Sequence, residues 1–308
     1  MSIWHLKALV QKTISLLPFK HNINYFFQKN ITKGIILRDD IFESKLVHAN
    51  KHLLNYSKFG KSKEKLSTLE IGTGWYPVVP LAFFLRGIDR IVSIDISDLL
   101  TTDTLHTTIK KFIEYKESGK LNGLLEDIDM IRFNKMKELL NKDADPKKLL
   151  KNLNIEIIVD DARKTSFDTE SFDMINSNNT FEHIYPHLLN DILIEFKRIL
   201  KKDGIMSHHI DMSDHFAHLD RSITHYNFLK FSDAQWNLID NSIQPQSRSR
   251  ISDYRSMYNK LGFKILYEES IIENIDDLKK VKLDKKYSSQ NEEDLAPIST
   301  VQVTKKQN

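Results

Sequence analysis

The chain contains no cysteine, which removes disulfide frameworks, thiolate metal sites and a cysteine nucleophile from consideration. Glycine and proline are scarce, 9 and 7 in 308 residues; a usual combined share is about 12%, so turn-dense all-β and fibrous folds are disfavoured. Nowhere do apolar residues run for the roughly 20 positions of a membrane span. A one-sided charge is missing as well: 45 Lys and Arg face 42 Asp and Glu, a net +3. That balance is too even for nucleic acid or an anionic membrane as the main partner. What is present, 40% hydrophobic and 28% charged residues, suits a globular chain with a packed core. At about 150 residues per domain, the length allows one large domain or one ordinary domain with a sizeable addition.

The N-terminus, MSIWHLKALVQKTISLLPFK, spaces Ile3, Leu6, Leu9, Val10, Ile14 and Leu17 as an amphipathic helix. Lys7 and Lys12 interrupt any signal-peptide core and no small-residue cleavage site follows, so the chain reads as cytoplasmic. Two uses of this helix stay open: packing on its own domain, or peripheral membrane contact with Trp4 as anchor. The helical pattern, punctuated at Pro18 and Gly34, continues to about residue 65, predicting an N-terminal helical cap over 1–65.

Beyond it, short apolar runs alternate with helical patterns. Strands are predicted at 66–71, 90–96, 155–159, 172–177 and 204–210, with two late ones in KILYEES and ISTVQVTK. Residues 97–154 carry only helical spacing and are far longer than a crossover needs, so they read as a helical insertion after strand two. Helices are predicted in HLLNDILIEFKRILKK and in SDYRSMYNKLGF, the latter closed by Gly262; KKYSSQNEED reads as a solvated loop. The expectation is an α/β, doubly wound sheet in a domain over 66–308.

Ligands of open α/β sheets bind at the carboxyl ends of the strands. Strand one ends in Glu70-Ile71-Gly72-Thr73-Gly74, a turn that brings backbone close to a ligand at a helix N-terminus. Strand two ends in Asp95, where a carboxylate accepts ribose hydroxyls. A dinucleotide site wants a third glycine where this chain has Tyr76, so pyrophosphate is disfavoured; Glu70 instead suits a cofactor with an amino-acid ammonium group.

In order, LEIGTGWYP, IDI, DARK, FDMINSNNTFEHI and RILKKDGIM resemble the class I S-adenosylmethionine-dependent methyltransferases, over roughly residues 66–304. The resemblance implies a Rossmann-like seven-stranded sheet with an antiparallel last strand, and S-adenosylmethionine as cofactor. It implies that Glu70, Gly72 and Gly74 line the methionine part and Asp95 the ribose. Asp161 and Ala162 would meet the adenine, Asn176 to Asn178 would flank the sulfonium, and Glu182 and His183 would stand at the front of the pocket. Tyr76 and the long insertion depart from the family pattern.

Past strand five the chain reads HHIDMSDHFAH, residues 208–218. Strand alternation puts His209 and Asp211 on one face and His208 on the other. His209, His208 and Asp211 are the catalytic candidates, a histidine acting as general base on an acceptor hydroxyl. The same residue types suit a divalent cation, although magnesium prefers oxygen and four histidines exceed its need; no metal ligand is assigned, and a metal site and a hydrogen-bonded structural motif stay open beside the base. The stretch 225–254 offers Tyr226, Phe228, Trp236, Arg248 and Arg250 either as a substrate wall with anion-gripping arginines or as an aromatic cover with surface arginines. The expected function is methyl transfer to a small-molecule acceptor, an oxygen of a sugar or other metabolite. The alternative is a cofactor-binding but non-catalytic partner protein.

Overall fold

The computed structural model describes residues 3–17, 36–61 and 65–307; the punctuation at Pro18 and Gly34 lies outside them. Helix α1 (Ile3–Ser15) and α2 (Asp39–Phe59) precede the first strand, β1 (Ser67–Ile71). All five residues of β1 are buried, as expected of a central parallel strand covered on both faces. After the glycine turn, α3 (Val78–Leu85) is buried on every side, the mark of a core helix. It is followed by β2 (Arg90–Asp95), and Gly87, at φ +84°, makes the turn between them. The insertion is helical throughout its regular elements: α4 (Thr102–Glu117), α5 (Leu121–Leu124), α6 (Met130–Lys137) and α7 (Pro146–Lys151).

The alternation then resumes with β3 (Ile155–Val159), β4 (Phe172–Asn178), α8 (Pro186–Ile199) and β5 (Leu200–Asp211). Helix α8 ends earlier than its sequence pattern, because Leu200 turns extended and pairs with Phe172. Then come α9 (Asp233–Ile239), α10 (Ile251–Lys260), β6 (Phe263–Ile271), the short helices α11 (Ile275–Lys279), α12 (Lys285–Ser288) and α13 (Glu292–Leu295), and β7 (Ser299–Lys306). KKYSSQNEED is therefore not a solvated loop: it folds into α12 and α13, with Tyr287 fully buried.

The sheet order is β3-β2-β1-β4-β5-β7-β6. Neighbours from β3 to β5 pair in parallel, and β7 runs antiparallel to both β5 and β6. This is the seven-stranded, Rossmann-like sheet expected. One core cluster lies under α2, α3 and the insertion, and includes Phe42, Leu46, Phe83 and Phe112; a second lies under α8 and α10, and includes Phe196, Tyr254 and Tyr258. A third joins Trp4 and Ala8 of α1 to Phe216, Trp236 and the C-terminal helices. Trp4 is 3% exposed, so burial in the protein's own core, rather than a lipid surface, accounts for it. Among the described residues no helix is long and apolar enough to cross a membrane.

Candidate active site

The turn after β1 needs its glycines for different reasons. Both have positive φ, +89° at Gly72 and +65° at Gly74, a region other residues adopt only at a cost. A Cβ at Gly72 would stand 2.3 Å from Thr180 Oγ1, whereas one at Gly74 would meet open space. Gly72 is thus closed in by protein and Gly74 faces the cleft. The Gly74 N–H donates to Asp95 Oδ2 at 3.0 Å and the Ser97 N–H to Asp95 Oδ1 at 3.0 Å, so Asp95 ties the ends of β1 and β2 together.

Two cavities open there. The first, about 500 Å³, is lined by Gly72, Gly74, Asp95, Asn178 and five residues of α2, Asp40, Ile41, Ser44, Lys45 and His48, among others. The second, about 630 Å³, is lined by Trp75, Ile96, Asp161, Ala162, Leu188 and Ile243, among others. They share Gly72, Asp95, Thr180 and His183, so one cleft runs across the carboxyl ends of β1, β2 and β4. Tyr76, in place of a third glycine, packs against the first core cluster.

Strand register builds a polar layer beneath the first cavity. Glu70 pairs with Ser93 on β2 and Asn176 on β4, and Asn178 pairs with His209 on β5. Glu70, 3% exposed, accepts from Ser93 Oγ at 2.8 Å and from Asn178 Nδ2 at 3.3 Å. Burial pushes its carboxyl up to about 7, against the pull of Lys45. Burial lowers the Lys45 ammonium in turn, and Glu70 and Asp95 oppose that shift. Asn176 is fully buried, with both amide atoms unpartnered among the described residues, and lines neither cavity. Its successors Asn178 and Asn179 take the place at the cleft, because β4 runs a residue beyond its sequence pattern.

The histidines are arranged differently from the sequence expectation. His209 and Asp211 do not pair. The His209 ring stacks on His48 at 3.7 Å and meets His52 edge-on at 5.4 Å; burial and the neighbouring imidazoles push it far below its ordinary range. It lines neither cavity, so as a base it is weak and screened from the cleft. His208 is fully buried on the opposite face, against Phe181, with Nδ1 hydrogen-bonded to Ser177 Oγ at 2.8 Å. Asp211 is committed elsewhere: Oδ1 accepts from the Ser213 N–H and Oγ, and Oδ2 lies 3.5 Å from His215 Nε2.

His183 does reach the cleft. Its Nδ1 lies 2.8 Å from the Pro245 carbonyl; a carbonyl only accepts, so Nδ1 carries the proton and Nε2 keeps a free lone pair. Burial, then His215, lowers it to about 4.

Arg248 and Arg250 are neither anion clamps nor surface groups. Arg250 is fully buried and donates to the carbonyls of Met212, Leu295 and Pro297. Arg248 bonds the Phe228 and Phe231 carbonyls and Asp233. Arg250 locks the 212–250 region to the C-terminal segment, as the Tyr226 hydroxyl does through the Ala296 carbonyl at 2.6 Å, whereas Arg248 ties together 228–248.

Sequence reasoning missed Lys45 and His48, which lie upstream of every recognisable motif. The signal was there in their spacing: Lys45, His48 and His52 follow i, i+3, i+7, one face of a helix. It also missed Ile243 and its neighbours, a loop wall with no periodicity to read.

The doubly wound sheet with an antiparallel β7, the glycine turn and the acidic end of β2 are the features that the resemblance to class I methyltransferases implied. Residues 127–207 match the family model of a methyltransferase domain, a stretch from the helical insertion to β5 that leaves the glycine turn outside. S-adenosylmethionine is the cofactor supported, and the residues at the cleft fit it: the Asp95 carboxylate, the Lys45 cation and open space above Gly74, while Glu70 lines neither cavity and lies buried beneath the first. No curated protein matches the sequence. Among solved structures, one from Pyrococcus horikoshii is 17% identical, covering 91% of this chain and 98% of its own, at a TM-score of 0.48. A SAM-dependent methyltransferase from Methanosarcina mazei is 14% identical, covering 82% and 96%, at 0.45. Phosphoethanolamine N-methyltransferase 2 of Haemonchus contortus, in complex with S-adenosyl-L-methionine, is 15% identical, covering 92% and 60%, at 0.47. Likeness at this level carries no argument about acceptor or chemistry.

Proposed function

We propose that the chain transfers the methyl group of S-adenosylmethionine to an oxygen of a small hydroxylated metabolite, such as a sugar. The observation that carries this reading is the pair of confluent cavities meeting at Gly72, Asp95, Thr180 and His183. The second cavity, walled by Ile96, Leu188 and Ile243 with Asp95 and Asp161 at its polar end, suits a nucleoside. Asp95 retains lone pairs beyond its two backbone bonds, since an ionised carboxylate accepts about four hydrogen bonds, and it accepts the ribose hydroxyls. Lys45 offers a cation to the carboxylate of the amino-acid end, with Glu70 buried beneath it.

The acceptor lies in the first cavity, which Ser44, Lys45 and His48 of α2 help to line; its size is that of a small-molecule site. When bound, the cofactor supplies an already activated methyl on a sulfonium. The protein's task is to hold the acceptor oxygen in line with it, which can supply several kcal/mol of the barrier, out of roughly 7–11 for ideal positioning. Of the imidazoles, His183 rather than His209 faces that oxygen, with Nε2 free to accept its proton.

Release of S-adenosylhomocysteine over a panel of hydroxylated metabolites, with mass spectrometry of the product, tests the reading. Turnover of at least one acceptor into an O-methyl product supports it. Cofactor binding without turnover across the panel, with another chain captured on pull-down, supports the non-catalytic partner instead.

A further inference from the structure

Beside the cleft lies a group of side chains that methyl transfer does not by itself require. Glu182 and His183 belong to the single turn Phe181–His183 that follows β4, and His215 to the loop after β5. One ligand atom from each of the three lies within 4.8 Å of the others. Glu182 is 1% exposed, and both carboxylate oxygens lack a hydrogen-bond partner among the described residues. His215 Nε2 is also buried and unpartnered, its 3.5 Å approach to Asp211 Oδ2 being too long for a hydrogen bond.

This arrangement is unsatisfied in either protonation state. An ionised Glu182 has no side-chain donor bonded to it among the described residues and faces a second carboxylate, Asp211. A protonated Glu182 has no acceptor for its proton. A buried charged group left unpaired is costly, and here the Glu182 carboxylate comes together with the His183 and His215 imidazoles, and no Lys or Arg is bonded to it among the described residues. A divalent cation satisfies all of them at once.

The supporting bonds agree. The Pro245 carbonyl fixes the His183 tautomer and leaves Nε2 as the ligand atom, and Ser213 fixes the Asp211 rotamer by two bonds to Oδ1, leaving Oδ2 facing His215. Such outer bonds commonly orient ligands around a metal.

We propose that Glu182, His183 and His215 bind a first-row divalent cation, with Asp211 as a further oxygen ligand or its immediate support. Two imidazoles with carboxylate oxygen favour manganese, iron, cobalt or zinc over magnesium or calcium, which prefer oxygen alone. Because His183 lines both cavities, a cation held there would border the cleft. In the methyl-transfer reading, and resting on it, a bound cation would occupy His183 Nε2 and replace it as the activating group: it would lower the pKa of the acceptor hydroxyl, whose proton would pass to water. Binding itself does not depend on that reading.

The test uses the full chain, stripped with chelator and titrated with Co²⁺ alone, with no cofactor or acceptor present. We expect one equivalent to bind with the visible absorption of a nitrogen- and oxygen-ligated ion, to be displaced by Zn²⁺ or Mn²⁺, and to be unaffected by equimolar Mg²⁺. Glu182→Gln and His215→Gln, which keep nearly the same volume, each weaken binding by about tenfold or more, while the exposed His187→Ala does not. Circular dichroism confirms that each variant is folded; should one fail to fold, the other together with Asp211→Asn carries the comparison. Absence of saturable Co²⁺ binding to folded wild-type protein overturns the proposal, as does wild-type affinity in folded Glu182 and His215 variants. If metal binds as expected but no acceptor is methylated, the metal site stands and the function proposed above fails.

Discussion

Replacing Asp95 separates the two tasks that its carboxylate performs. Oδ2 holds the Gly74 N–H and Oδ1 the Ser97 N–H, and the same group is assigned to the ribose. Asp95→Ala leaves two partly buried amides without an acceptor; at a net 0.5–1.5 kcal/mol per hydrogen bond the fold loses about 1–3 kcal/mol. At roughly 2–4 °C per kcal/mol for chains of this size, the melting temperature of the cofactor-free protein falls by several degrees. Asp95→Asn keeps one carbonyl oxygen and costs about half as much. Cofactor affinity moves differently, since a hydrogen bond to a charged group is worth about 1.5–3 kcal/mol and 1.4 kcal/mol is tenfold. The Asn variant therefore binds S-adenosylmethionine about tenfold more weakly or worse, and the Ala variant more weakly still. Calorimetry reads the dissociation constants and scanning fluorimetry the melting temperatures. Wild-type affinity in Asp95→Asn, with the expected small loss of stability, refutes the ribose assignment.

Three further outcomes follow from the same geometry. Gly74→Val places a branched side chain over open cleft at φ +65°: it remains folded but loses cofactor binding in calorimetry, whereas Gly72→Val collides with Thr180 and lowers the melting temperature severely. Arg250→Met strands the Met212, Leu295 and Pro297 carbonyls and costs about 3 kcal/mol or more in urea unfolding at about 1–3 kcal/mol per unsatisfied group; its cofactor dissociation constant stays within about threefold, and a large change there would return Arg250 to the site. Glu70 has a carboxyl raised from 4.5 to about 7 in the fold, so the native state binds more protons than the unfolded one between those values. Its stabilising contribution is full below about 4.5 and lost as pH rises through about 7, at most about 3 kcal/mol at 1.36 kcal/mol per unit. The stability difference between wild type and Glu70→Gln, measured from pH 5 to 8, shifts against the wild type as pH rises; a flat difference places the Glu70 proton equilibrium outside this range.

The strands were legible because parallel strands covered on both faces leave continuous apolar runs: LEI, RIVSID, IEIIV and FDMIN all coincide with β1 to β4. The glycine turn and Asp95 were legible for the same reason, since they mark where such runs end. What sequence could not supply was the partner of each polar side chain. Alternation correctly placed His209 opposite His208, yet the partners of His209 come from α2, about 160 residues earlier in the chain, and Asp211 turns to a loop residue, His215. Lys45 escaped because α2 joins the core through Phe42, Leu46 and Ala49, a pattern that says where the helix packs and nothing about the cleft it borders. Arg250 looked like an anion ligand because a sequence cannot show three backbone carbonyls converging on one guanidinium.

The central claim is that the cleft across β1, β2 and β4 holds S-adenosylmethionine, and titration calorimetry of the purified full chain addresses it most directly. The account predicts saturable binding at one site per chain, competed by S-adenosylhomocysteine and weakened by Asp95→Asn and Gly74→Val. Folded wild-type protein that gives no binding heat at any temperature tried, and no thermal stabilisation at saturating cofactor, contradicts it.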